Sequence, residues 1–186
     1  MTLLSLGLLM WVVAHTFKRL LPTQRALLQD KIGDASKGLF AVVIVISVLA
    51  MIFGYRWADF VPVYAPPSWG VHLNNLAMIG AIALLGMGKS KGRARTWLRH
   101  PMLMGVLVWG LAHLLVNGDL ASMILFGGLA AWSVGNMVLI NRREGAWVRP
   151  DPGPVAGDLR LLAITLVLYG VIGGLHAWLG PWPFPG

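Results

Sequence analysis

Residues 39–58 read LFAVVIVISVLAMIFGYRWA, and this stretch decides what kind of fold the chain can adopt. It carries no charged residue before Arg56, and it is as long as the roughly 20 apolar residues that an α-helix needs to cross a bilayer core. Charge, proline or glycine separates it from further apolar stretches at 2–17, 70–88, 101–117, 119–140 and 159–179. The sequence therefore predicts an all-α membrane protein, a bundle of about six transmembrane helices.

The composition agrees with this fold class. Of the 186 residues, 57% are hydrophobic and only 12% are charged, which is more apolar surface than a soluble domain of this length can bury. We predict a single transmembrane domain over residues 1–186, with the lipid bilayer as its main partner. Cysteine is absent, which excludes disulfides, iron–sulfur ligation, a cysteine nucleophile and covalent c-type haem attachment.

Membrane topology explains the net charge of +8 better than nucleic-acid binding does. Except for Arg56, every lysine and arginine falls in one of three segments, 18–38, 89–100 and 141–160. None of these forms a basic surface interleaved with exposed aromatic residues, so we expect no nucleic-acid partner. Positive loops stay on the cytoplasmic side, which predicts that both chain ends lie on the outer, periplasmic face of a bacterial inner membrane. No positive residue precedes the first apolar stretch, so we expect a retained anchor.

The connections carry their own signals. Asn117-Gly118-Asp119 predicts a tight turn in which Asp119 caps the next helix, so that the fourth and fifth apolar stretches form an antiparallel hairpin. Prolines in 149–157 predict an extended linker before the last helix. The Gly170/Gly174 pair predicts close helix packing. Gly127, Gly128 and Gly135 could serve internal packing or a homodimer contact equally well.

Five histidines are the main candidates for chemistry, because ionisable side chains at membrane depth are costly and usually face the bundle interior. The topology places His72, His113 and His176 near the outer face, and His15 and His100 towards the inner face. Two histidines at one depth could hold a b-type haem. The alternative is that each one only hydrogen-bonds a neighbouring helix.

Several motifs together resemble the NnrU family of membrane proteins, over nearly the whole chain. They are WGVHL at 69–73, LRHPMLMG at 98–105, AHLLVNGDLAS at 112–122, His15, and Leu168-Tyr169 with LHAWL at 175–179. The resemblance implies a bacterial inner-membrane protein linked to denitrification, where the family supports nitrite and nitric oxide reduction. A non-catalytic assembly or regulatory role is the alternative within the same family.

The NnrU family is in turn similar to plant and cyanobacterial 15-cis-zeta-carotene isomerase, a membrane enzyme that uses haem b with histidine ligands. Carried onto this sequence, the likeness makes His72 with His113 an outer ligand pair, with His72 and His113 the expected metal ligands. His15 with His100 forms an inner pair. Trp109 and Tyr169 are expected to line an apolar slot for a lipophilic substrate.

A second resemblance concerns Arg99-His100-Pro101, which is similar to a motif that holds S-adenosylmethionine in isoprenylcysteine carboxyl methyltransferases. Those enzymes also carry a pair of glutamates near the end of a later helix. This chain has Arg142-Arg143-Glu144 there, with one acid and two bases. The departure makes methyl transfer the weakest of the three functions.

Overall fold

The computed structural model describes residues 1–184, and within them the chain forms seven helices and no β-sheet. The helices are α1 (Thr2–Leu20), α2 (Pro22–Ile32), α3 (Ala35–Arg56), α4 (Gly70–Met87), α5 (Pro101–Leu114), α6 (Leu120–Glu144) and α7 (Val155–Leu179). Helices α1, α3, α4, α6 and α7 are long and apolar enough to cross a membrane, whereas α5 is apolar but only 14 residues long. The all-helical prediction is confirmed, and a sixth crossing segment stays a prediction.

Segment 18–38, expected to be a loop, contains the polar helix α2. Pro22 occupies its first turn, where a fixed φ and a missing N–H are tolerated. The guanidinium of Arg25 donates to Ser36 Oγ at 3.0 Å, and Ser36 Oγ donates to Gln29 Oε1 at 2.5 Å. Gly33 has a φ of 56° and ends the helix in a conformation that favours glycine. These local hydrogen bonds stabilise a helix that the apolar pattern could not indicate.

The last helix begins earlier than its apolar pattern, at Val155 and not at residue 159. The expected extended linker therefore ends at Pro154. Asp158 lies in the first turn, where a carboxylate meets the positive end of the helix dipole. Its Oδ1 accepts a hydrogen bond from the backbone N–H of Ala94 at 2.9 Å, which ties the start of α7 to the 89–100 segment.

Helix α6 lies at the centre of the bundle. It packs on α5 on one side and on α1 on the other. Beyond α1 lies α3, which packs along α1. Beyond α5 lies α4, which packs along α5 and also contacts α7. The buried core lies where α1, α3 and α6 meet, and it consists of Leu4, Met51, Ala121, Leu129 and Trp132. The predicted α5–α6 hairpin is therefore present.

Glycines permit a close helix contact between α1 and α3. A Cβ on Gly7 would lie 2.8 Å from the backbone nitrogen of Met51 and 2.9 Å from the carbonyl oxygen of Ser47. The expectation for Gly170 and Gly174 is wrong, because a Cβ at either position would meet no atom within 4 Å in the described part of the chain. In α7 the glycines that face a neighbour are Gly157, which meets the backbone of Lys91 and Gly92, and Gly173, which meets the ring of Phe184.

The three basic segments meet at one end of the bundle, which we call the basic end. Arg19 and Glu144 form an ion pair at 3.1 Å, and the Arg99 guanidinium donates to the carbonyl oxygen of Gly145 at 2.6 Å. The backbone N–H of Gly153 donates to the carbonyl oxygen of Gly92 at 3.2 Å. The loops that carry nearly all of the positive charge are thus neighbours in space.

At the opposite end, the 57–69 loop is fastened to the α5–α6 turn. The backbone N–H groups of Val63 and Tyr64 donate to the carbonyl oxygen of Gly118 at 2.8 and 3.0 Å. The Tyr64 hydroxyl donates to the carbonyl oxygens of Leu114 and Asn117. Burial raises the pKa of Tyr64 and the nearby Asp119 carboxylate adds to the rise, so the phenol keeps the proton that these bonds need.

Candidate functional site

A cavity of about 630 Å³ lies between the helices, towards the end opposite the basic end. All six apolar helices contribute to its wall, for example Trp11 from α1, Met78 from α4 and Ile172 from α7. Small-molecule and cofactor sites typically occupy about 300–1,000 Å³ and are mostly apolar with a few polar groups. The cavity has that size and that lining. Its polar lining side chains are those of Trp11, Tyr55, Arg56, Trp109, His113, Asn117 and His176.

Two histidines face each other across this cavity. The ring centroids of His113 on α5 and His176 on α7 lie 6.4 Å apart, with an angle of 35° between the rings. His113 Nδ1 lies 2.9 Å from the carbonyl oxygen of Trp109, and because a carbonyl only accepts, Nδ1 carries the proton. The second ring nitrogen, Nε2, is thereby left as the acceptor of His113 and could bind a metal ion.

Aromatic rings hold His113 in place. Phe126 stacks on it, with centroids 4.5 Å apart and an interplanar angle of 24°, and Trp109 lies edge-on to Phe126 at 4.9 Å. Phe126 belongs to a π-helical turn of α6, Met123–Gly127, and such turns are frequent at functional sites. The packing restricts rotation of the His113 ring.

The π-helical turn is itself anchored at the start of α6. Asp119 accepts hydrogen bonds from the backbone nitrogen of Ser122 at 3.0 Å and from its hydroxyl at 2.5 Å, which confirms the predicted helix cap. The Tyr55 hydroxyl lies 2.9 Å from Ser122 Oγ. The cap, α3 and the cavity wall are therefore connected by side-chain hydrogen bonds.

A small adjoining cavity of about 50 Å³ shares His113 and His176 with the large one. Tyr169 lines it and packs edge-on against Phe184 at 6.0 Å. The Asn75 amide donates to the carbonyl oxygen of Pro183 at 3.0 Å, which holds the segment after α7 over this cavity. Tyr169 thus contributes to the site from the small cavity, and Trp109 from the large one.

The structure does not bring His72 against His113. His72 lies in the first turn of α4, is exposed, and lines neither of the two cavities. The contribution of α4 to the large cavity is Met78, six residues or about 9 Å further along the helix. The residue that faces His113 is His176, which the sequence indicates only as a third histidine at the same depth.

His15 and His100 are also placed apart. His15 stacks on Trp11 with centroids 3.9 Å apart and lies edge-on to Trp132 at 5.2 Å, inside the α1–α6 contact. His100 Nε2 lies 2.8 Å from Asn141 Oδ1, in a separate cavity of about 380 Å³ at the basic end. Each of these histidines has a helix contact of its own.

Residues 1–184 contain no group of three or more His, Asp or Glu side chains that could hold a metal ion. The structure therefore does not support a metal site made of side chains alone. A prosthetic group that brings its own metal ligands needs fewer from the protein. The two histidines of the cavity are compatible with such a group.

These features define a class: a helical protein of the membrane-spanning type with an apolar cavity that two histidines share. The comparison with family models makes this specific, because the model described as NnrU protein matches residues 3–183. The chain belongs to the NnrU family. Searches of curated proteins and of solved structures give no match.

Proposed function

We propose that this NnrU protein binds a b-type haem in the large cavity and that His113 and His176 would hold it. We further propose that it crosses the inner membrane of a bacterium six times and acts in denitrification-linked redox chemistry or, like zeta-carotene isomerase, on a lipophilic substrate. The observation that carries the proposal is the facing of these two histidines in an apolar cavity of about 630 Å³.

The distance between the two rings supports this proposal. The ring centroids lie 6.4 Å apart, and metal-to-nitrogen bonds are about 2.0 Å long, so the two histidines are near enough for one bound group to meet both. The porphyrin nitrogens supply the remaining ligands, which agrees with a site of two histidines. Haem iron would supply a one-electron redox change in a medium that excludes water.

The residues around the histidines have separate tasks in this proposal. Trp109 O and the Phe126 ring fix the tautomer and the orientation of His113. Arg56 is the one cation that lines the cavity in the described chain, and it would meet the carboxylates of a haem or of another amphiphilic ligand. The aliphatic lining from α3, α6 and α7 excludes water and suits a lipophilic substrate.

The first prediction concerns the absorption spectrum of the detergent-purified protein, oxidised and then reduced with dithionite. We expect a Soret band, with sharpened α and β bands on reduction, and we expect its loss in His113→Ala and in His176→Ala. His72→Ala is the matched control and should keep the spectrum. A flat visible spectrum after haem supplementation would end the haem proposal. Loss in His72→Ala with retention in His176→Ala would instead support the His72–His113 pair.

A non-catalytic membrane factor for nitrite and nitric oxide reduction is the second candidate. It is favoured by one observation: three histidines already have hydrogen-bond partners within the protein. His15 and His113 bond carbonyl oxygens of their own helices, and His100 bonds the Asn141 side chain of α6. If single histidine variants leave nitrite and nitric oxide reduction unchanged and the visible spectrum is flat, this candidate replaces the first.

A further inference from the structure

Two ladders of polar and aromatic side chains face each other between α1 and α6. Trp11, His15 and Arg19 recur every four residues on α1, and residues four apart are neighbours on a helix surface. Trp132, Asn136 and Glu144 follow one another along α6 towards the basic end. We call these six residues the α1–α6 column.

Contacts at several levels join the two faces. Trp11 and Trp132 have centroids 5.5 Å apart, His15 and Trp132 5.2 Å, and Arg19 and Glu144 form an ion pair at 3.1 Å. The paired residues keep the same order along both helices, so α1 and α6 run in the same direction. The column therefore extends from the middle of the bundle to its basic end.

The column contains buried polar atoms that lack hydrogen-bond partners among residues 1–184. They are Trp11 Nε1, Arg19 Nε, Trp132 Nε1 and Asn136 Oδ1. Trp132 is 9% exposed and Asn136 is 6% exposed, so neither can turn to solvent. A polar group buried without a hydrogen bond destabilises the folded protein, and lipid offers no partner. Internal water is the usual partner for such groups.

The two ends of the column open onto different cavities. Arg19 and Glu144 line the cavity of about 380 Å³ at the basic end. Trp11 lines the large cavity that contains His113 and His176. The eight residues from Trp11 to Arg19 span about 12 Å of helix. The column thus reaches from the wall of one cavity to the wall of the other along the α1–α6 contact.

We propose that the α1–α6 column holds a chain of ordered water molecules, along which protons move between the basic end and the large cavity. His15 Nδ1 donates to the carbonyl oxygen of Trp11 at 2.9 Å, which leaves Nε2 as the acceptor. Nε2 takes a proton from one water and returns it to the next, so the histidine ends unchanged. The use of such protons in cavity chemistry rests on the proposed function, whereas the hydration of the column does not.

The test needs no haem, so its outcome is separate from that of the absorption spectrum. The protein is labelled with ¹⁵N at tryptophan, purified in detergent, and its indole N–H signals are assigned by single Trp→Phe variants. We expect the Trp132 indole proton to show a cross-peak to water and to exchange with solvent at a rate that rises with bulk pH. Trp132 is the informative group because it is buried and lines neither cavity.

Variants at neighbouring positions sharpen the test. Asn136→Leu should slow exchange of the Trp132 indole proton by roughly tenfold or more, because an apolar side chain removes a water-binding group. Asn136→Ser keeps a polar group and should restore most of the rate. Ser133→Ala is the control, since Ser133 is buried on α6 but already bonds to Ala130 O. A Trp132 signal without a water cross-peak, or equal exchange in Asn136→Leu and the parent protein, would overturn the proposal.

Discussion

Asp119 shows how one side chain can organise a functional wall. Its carboxylate closes the first turn of α6 through Ser122, and Ser122 in turn contacts the Tyr55 hydroxyl. The π-helical turn that carries Phe126 follows directly. A defect at the cap would therefore reach the ring that stacks on His113.

Asp119→Ala should lower the free energy of unfolding by about 1 kcal/mol, the usual cost of a lost helix cap. Asp119→Asn keeps an accepting oxygen, so it should lower the free energy of unfolding by less. Thermal unfolding in detergent measures the difference, with Asp151→Ala as the control because Asp151 is an exposed residue with no helix to cap. An unchanged midpoint in Asp119→Ala would mean that the cap does not stabilise α6.

At the scale of residues, the sequence predicted some features of the histidine site and not others. The sequence identifies His113 and Trp109 as neighbours on one helix face, because their spacing of four residues is a local property. It could not select His176 over His72 as the partner, because both lie at one depth. That choice depends on which face α4 and α7 turn towards α5.

At the scale of the helices, the α1–α3 contact is close and depends on small residues. Gly7 packs on the backbone of Met51 and Ser47, and Gly54 packs on the backbone of Leu4. Lipid provides little hydrophobic drive for helices to associate, so van der Waals contact at such positions supplies much of the stabilisation. Gly170 and Gly174 are also small residues four positions apart on a helix, but no helix of the described chain packs on them.

Gly7→Ala and Gly174→Ala make a matched pair, since each adds one methyl group to a helix. Gly7→Ala should destabilise the protein by about 1–3 kcal/mol, because backbone atoms at 2.8 and 2.9 Å must move. Gly174→Ala should be neutral or slightly stabilising, because alanine favours helix and the space is open. Unfolding in detergent compares them, and equal effects would contradict the close α1–α3 contact.

At the scale of the whole molecule, the positive charge is concentrated at one end of the helix bundle. The basic segments are adjacent at one end, while the 57–69 loop and the α5–α6 turn occupy the other. Such a separation is what the positive-inside rule requires of a chain with six crossing helices. It supports the proposed orientation with both ends outside.

The absence of cysteine makes that orientation directly testable. Ser68→Cys places a thiol in the loop after α3, and Asp151→Cys places one between α6 and α7; both positions are exposed. In intact spheroplasts a membrane-impermeant maleimide should label Ser68→Cys alone, and after lysis it should label both. Labelling of Asp151→Cys before lysis would reverse the predicted topology or change the number of crossings.

The sequence by itself determined the helical fold class, the family and the approximate positions of the six apolar helices. Apolar length, charge placement and cap residues such as Asp119 act locally, so they can be read from one chain. Only the tertiary structure decided that His176 faces His113, that α2 forms in the 18–38 segment, and that polar atoms of α1 and α6 are buried together. These depend on helix rotation and on contacts between residues more than a hundred positions apart, such as Arg19 with Glu144, which no local pattern encodes.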